Sequence, residues 1–234
     1  MKIGIPKEYF VDGMEADVKR EINAAIEKAR ELGAEIKEIS LPNTEYGLAV
    51  YYVVMPAEVS TNLARYDGLR FGHSSAVPSD IAKNRSEGFG KEAQRRIMLG
   101  SFVLSSGFYD AYYKKASLVR ELIKKDFDEA FKEVDVIFTP TSPSVAWKIG
   151  EKAEDPLKMY LSDIFTVNAS LAQLPGLSLP VGYGKTEDGS GDQTELPVGL
   201  QILGPRLGEE AVFKVSHVME KALAPKMTKK PNIG

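Results

Sequence analysis

Apolar residues recur along the chain with two different periods, and each change of period marks an element. From Glu15 to Leu32, residues Val18, Ile22, Ala25, Ile26, Ala29 and Leu32 fall three or four apart, which predicts an amphipathic helix ended by Gly33. Lys2 to Pro6 is a short apolar run, and Ala34 to Leu41 alternates with Ile36 and Ile39 among charges, so both read as strands. Strand, helix and strand joined by tight links predict a right-handed parallel crossover. Tyr46 to Tyr66 is long, apolar and aromatic, and reads as a helix despite Pro56. Asp67 to Gly90 is rich in Gly, Ser and Pro and predicts an irregular, mobile loop. Two further helices are expected over about Lys91 to Ser106 and Phe108 to Glu133; in the second, Val119, Leu122, Ile123, Phe127, Ala130 and Phe131 keep a helical period.

The remainder returns to strand patterns. Val134 to Thr139 is a buried-strand run stopped by Pro140. Asp155 to Leu174 predicts a short helix and a second that packs deeply, and Leu177 to Val181 with Val198 to Leu203 read as paired central strands. The stretch GKTEDGSGDQTE between them is polar and Gly-rich, as a surface hairpin loop requires. Glu209 to Leu223 closes the fold as an amphipathic helix, followed by PKMTKKPNIG as a disordered tail. No internal repeat and no linker is evident. The pattern is one α/β domain with a helical insertion from about Tyr46 to Glu133.

Composition narrows the chemistry. The chain has 234 residues, 43% hydrophobic and 27% charged, with a net charge of −3, which is enough for one sizeable core and argues against an extensive nucleic-acid surface. There is no cysteine, so disulfides and thiolate metal sites are excluded. His73 and His217 are the only histidines and lie far apart, which makes a zinc site a poor fit. No apolar run approaches the roughly 20 residues that span a bilayer, so no membrane partner is expected, and MKIGIPKEYF lacks the form of a signal peptide.

The stretch RSEGFGKEAQRRIMLGSFVLSSGFYDAYYKKA, from Arg85 to Ala116, combines a paired arginine, a small-residue apolar run and a tyrosine cluster. With KIGIPKEYF, LPNTEYGLAVYYVVMPAEVSTNLARYDGLRFG, DPLKMYLSDIFTVNASLAQLPGLSLPVG and LPVGLQILG, in that order, it resembles the amidase signature family. Within that family, the blocks look most like the subunits that release ammonia from glutamine for converting Glu-tRNA(Gln) to Gln-tRNA(Gln). The resemblance implies a layered α/β/α fold, a mixed sheet with helices on both faces, of which this chain holds the C-terminal portion. The family's Ser–cis-Ser–Lys triad lies in the N-terminal half, in a Gly-Gly-Ser-rich segment. This chain has no Gly-Gly pair, so it is expected to hold no catalytic residue and to hydrolyse no amide alone.

The resemblance also implies roles for three residues. A glutamine site needs an arginine fork for the α-carboxylate, an acidic residue for the α-ammonium and an aromatic hydroxyl alongside. Carried over, these are Arg96, Asp163 and one tyrosine of the Tyr51–Tyr52 pair, with Tyr51 favoured. Each has a plain structural rival. Arg96 is four residues after Glu92 and suits a surface ion pair, Arg95 competes for the same role, and Asp163 suits a helix cap. Tyr51 and Tyr52 point to different faces of a helix, so one of them is expected in the core.

Ser142 and Ser144 follow a strand, yet no histidine or lysine is placed to activate them, and Ser178 reads as packing within a strand. The GSG around Gly189 lacks the following apolar helix that a phosphate loop needs. By the same resemblance, the partners are glutamine or another amide, the missing N-terminal half, and amidotransferase subunits B and C, with tRNA engaged only indirectly. No cofactor belongs to this chain, because ATP and Mg²⁺ belong to a partner subunit. The implied location is the cytoplasm, with an organelle left open. The competing readings are a non-catalytic module of a split enzyme or scaffold, and half of a stand-alone amidase.

Overall fold

In the computed structural model, the described residues are 1–10, 13–150, 159, 161–187 and 193–229. By internal contacts they divide into two compact units, one of residues 1–48 and 122–234 and one of residues 49–121. The first carries a five-stranded sheet. Its strands are β1 (Lys2–Pro6), β2 (Glu35–Ile39), β3 (Val136–Pro140), β4 (Gly176–Glu187) and β5 (Gln193–Leu203), in the order β2-β1-β3-β5-β4. β1 runs parallel to both β2 and β3, whereas β5 runs antiparallel to β3 and β4, so the sheet is mixed as expected.

Helix α1 (Ala16–Glu31) makes the crossover from β1 to β2. Asp17 in its first turn and Lys28 and Arg30 in its last turn suit the helix dipole. Its buried stripe, Val18, Ile22, Ala25, Ile26 and Ala29, packs in one cluster with Ile3, Val136, Phe138, Val181, Leu200 and Ile202 of the sheet. Helix α7 (Glu209–Leu223) adds Val212, Val215, Met219 and Leu223 to that same cluster. Each such buried Val, Leu, Ile, Phe or Met side chain is worth about 1.5–3 kcal/mol of transfer free energy.

The opposite face is covered as well. β3 is buried at every position, with Ile137 and Thr139 facing away from the α1 cluster, as the pleat dictates. There the Gln201 amide donates to Thr139 Oγ1 at 2.8 Å and to the Phe165 carbonyl at 3.0 Å. Phe165, stacked on Tyr9 with centroids 5.5 Å apart, leads into α6 (Val167–Ala172). Helices thus lie on both faces of the sheet.

The second unit contains most of α2 (Gly47–Asn62), then α3 (Ile81–Gly88), α4 (Lys91–Val103), a π-helical turn (Asp110–Lys114) and the start of α5 (Lys115–Ala130). α2 runs through Pro56 without a break. The expected mobile loop is different in fact. It contains α3, capped by the Asp80 side chain accepting from Lys83 N at 2.9 Å, and it is organised around the buried Asn84. Asn84 accepts from Ser75 N at 2.7 Å and donates to the carbonyls of Asp67 at 3.0 Å and Pro78 at 2.9 Å. A single amide therefore satisfies backbone groups on three parts of the loop, which composition alone does not reveal.

Other expectations are also revised. The strand continues through Pro140, which pairs with Leu200, because Thr141 N still donates to Gly199 O at 3.0 Å. β4 and β5 pair as predicted, but β4 ends the sheet rather than lying centrally. The C-terminal stretch is tied down as far as residue 229: Lys226 pairs with the buried Glu21, and Lys229 pairs with Glu195 while its backbone N–H donates to Tyr183 Oη at 3.0 Å. The Gly189 segment, residues 155–158 and the last five residues lie outside the described residues.

Candidate functional site

Two centres carry polar chemistry, one in each unit. In the helical unit, Gly100 sets the approach of α4 to α2, since a Cβ there would sit 1.9 Å from the Pro56 carbonyl oxygen. One turn earlier on the same face of α4 is Arg96, whose Nη1 lies 3.1 Å from Met55 Sδ and whose Cζ is 5.8 Å from the centre of the Tyr52 ring. Tyr51 and Tyr52 touch edge to face with centroids 5.3 Å apart, and Tyr51 also hydrogen-bonds Arg96.

The ion pair foreseen as the plain rival is real. Arg96 Nε donates to Glu92 Oε1 at 2.8 Å, and Arg95 pairs with Glu92 Oε2. The two arginines nevertheless differ: the side chain of Arg96 is 26% exposed against 46% for Arg95. Arg96 is therefore the one that faces the aromatic wall of α2. Burial opposes the guanidinium charge, but the hydrogen bond and charge of Glu92, with a further hydrogen bond donated to the Tyr51 hydroxyl oxygen, outweigh it and raise the Arg96 pKa. Both tyrosines are half-buried, so neither is a core residue as one was expected to be. Met55 was missed in the sequence, where a methionine within an apolar helix gives no polar signal.

In the sheet unit, a cleft of about 510 Å³ is lined by Thr141, Ser142, Ser144, Trp147, Asp163, Thr166 and Ser178, among others. Asp163 is half-buried, and its carbonyl accepts from Thr166 N at 3.0 Å and Val167 N at 3.1 Å, which fixes the turn before α6. Ser178 is exposed on β4, contrary to the packing role expected, and its Oγ lies 2.9 Å from Thr141 Oγ1. The two hydroxyls meet across Gly199 of the intervening strand, where a Cβ would stand 2.8 Å from Ser178 Oγ and 2.9 Å from Thr141 Oγ1. Among the described residues, Ser144 Oγ is buried without a hydrogen-bond partner, and Ser144 N reaches Ser142 Oγ at 3.5 Å. The cleft thus offers neutral hydroxyls and a carboxylate. Sequence reasoning missed Thr141 and Gly199; a glycine inside a strand pattern was the available signal of close approach.

A family model described as Amidase matches residues 1–213. Among curated relatives, the glutamyl-tRNA(Gln) amidotransferase A subunit of Methylobacillus flagellatus is 51% identical over 225 residues, covering 94% of this chain and 45% of that relative. The corresponding protein of Pelagibacter ubique is 54% identical over 225 residues, covering 95% and 45%. The crystal structure of the glutamyl-tRNA(Gln) amidotransferase A subunit from Thermotoga maritima matches with a TM-score of 0.68 at 38% identity, covering 94% of this chain and 42% of that one. The chain spans a little under half the length of the curated relatives it matches. With its mixed sheet, its helices on both faces and that match, the chain belongs to the Amidase family.

Proposed function

We propose that this chain is the substrate-side portion of a glutamine-hydrolysing amidotransferase subunit, the part that recognises the amino-acid end of the amide and leaves the nucleophile to the remaining half. In the intact protein a serine hydroxyl of that other half attacks the side-chain amide carbon of glutamine. The C–N bond breaks, ammonia leaves, and water then releases glutamate from the acyl-enzyme. The ammonia serves amidation of Glu-tRNA(Gln) on partner subunits B and C, where ATP and Mg²⁺ are used. Neither step is assigned to a residue of this chain.

The observation that carries the reading is the Arg96 cluster. A half-buried guanidinium, set against Tyr51, Tyr52 and Met55, presents a charged fork beside an aromatic wall. That is what recognition of a carboxylate by two parallel charge-assisted hydrogen bonds requires. The similarity to named amidotransferase subunits over nearly the whole chain supports the substrate class. Asp163, in the hydroxyl-lined cleft of the other unit, is assigned to a primary ammonium. Exposed apolar side chains such as Met98, Phe102 and Leu118 in the helical unit fit a surface that partner chains cover.

The test is glutaminase activity of the chain alone and after mixing with a separately produced N-terminal half. Silence alone and activity on mixing are expected, and Arg96→Ala should lower kcat/KM by about 100-fold, the weight of a charge-assisted bidentate contact. Activity of the chain by itself would overturn the division of labour.

A further inference from the structure

Arg96 is held before any ligand arrives, and what holds it determines which of its edges a ligand meets. A guanidinium has two edges able to grip a carboxylate with two parallel hydrogen bonds, one formed by Nε with an Nη and one by Nη1 with Nη2. In this structure Nε is committed to Glu92 Oε1 at 2.8 Å. The other Glu92 oxygen is taken by Arg95, so the carboxylate is pinned from its far side and cannot swing away without breaking a second ion pair. Glu92, Arg95 and Arg96 fall at i, i+3 and i+4 on one helix, where such side chains meet. The Nη1 corner, by contrast, rests at 3.1 Å on the thioether of Met55, a weak acceptor that a carboxylate oxygen would readily displace. The Tyr52 ring beneath the guanidinium and the Tyr51 hydroxyl beside it restrict the plane of the fork.

We propose that Glu92, steadied by Arg95, is a positioning residue that orients Arg96 so that its Nη1–Nη2 edge meets the α-carboxylate of the substrate end-on. The proposal rests on the reading of Arg96 as the carboxylate-binding residue, and it adds that the surface ion pair on α4 is part of the recognition machinery. Glu92 touches no substrate. Its contribution is that Arg96 need not be ordered when the ligand binds, which spares rotamer entropy that a free arginine would lose.

The experiment uses the chain itself, labelled at arginine nitrogen, with the Arg96 Nε–H resonance assigned by its loss in Arg96→Lys. Acetate and L-glutamine are titrated separately, and the side-chain resonance reports binding. In the unmodified chain both ligands should move the signal. In Glu92→Ala both should need at least tenfold higher concentration, with helix content by circular dichroism unchanged. In Glu92→Gln, whose amide oxygen still accepts from Nε, affinity should return to within about threefold. Equal or tighter binding by Glu92→Ala would overturn the proposal, because Glu92 would then be a competitor for Arg96 and not its support. A response to neither ligand in the unmodified chain would overturn it as well. A response to acetate without one to glutamine would leave the positioning role standing and sink the glutamine reading.

Discussion

The arginine cluster and the hydroxyl cleft solve a similar problem by different means. Each brings polar groups onto a half-buried surface, and each depends on a glycine where a Cβ has no room, Gly100 on α4 and Gly199 on β5. The cluster is local: Glu92, Arg95 and Arg96 lie within five residues of one helix, and the tyrosines and Met55 come from α2. The cleft is non-local. Thr141 and Ser178 are brought together by the register of three strands, with Gly199 between them. A site built on helical spacing can lose one partner, and with it binding strength, without loss of stability, because the helix is held by its other contacts. A site built on register shares a backbone with the core, and damage to it should appear as lost stability.

That contrast is broken or upheld first by Gly199→Ala. The new methyl would fall within 3 Å of both hydroxyl oxygens and 3.2 Å from Thr141 Cβ, so strands or side chains must shift. Overpacking of this kind costs about 1–3 kcal/mol. A lower urea midpoint with the Arg96 Nε–H resonance unmoved is expected; an unchanged midpoint would mean that the sheet yields easily there. Next in size is Arg96→Lys, which keeps the charge and removes the fork. About a tenfold loss of kcat/KM is expected in the reconstituted glutaminase, with the melting temperature of the chain unchanged. A fall in melting temperature as large as that of Gly199→Ala would erase the distinction between the two regions.

The same contrast explains what the sequence discloses. The strands, α1, α2 and the closing helix are legible because their apolar period is a property of neighbouring residues. So is the Glu92–Arg96 pair, which follows from spacing alone, though which arginine turns inward depends on the approach of α2 and is written only indirectly, in Gly100. Ser178 is misread from the sequence because alternation assigns it a face but does not say that β4 ends the sheet, with its serine exposed. The loop before α4 is misread for a related reason: its Gly, Ser and Pro content describes the chain's freedom, while the buried Asn84 that removes it acts through three distant backbone groups. The roles proposed for Asp163 and Arg96 are reached in the sequence through resemblance, because a half-buried charge has no signature in its neighbours.

The smallest effect is a matter of pH, and it separates the two regions without altering either. At the far end of β4 from Ser178, Lys185 N donates to Asp17 Oδ2 at 2.8 Å, and Arg20 pairs with the same carboxylate. The hydrogen bond from Lys185, then that from Arg20, hold Asp17 below the usual carboxylate range. A group whose pKa is depressed on folding stabilises the native state above its unfolded value, and that contribution disappears as pH falls through the folded value. Hydrogen-exchange protection of the Lys185 amide, once corrected for the intrinsic rate, should therefore stay level from pH 7 to about pH 5 and decline only below about pH 4. Asp17→Asn should remove the decline. Arg96, whose pKa is raised, keeps its charge across the whole range, so its guanidinium gives no titration of its own there. A loss of Lys185 protection already between pH 7 and pH 5 would show that a group other than Asp17 governs this end of the strand, and that the hairpin beside the cleft is held by contacts other than the one seen here.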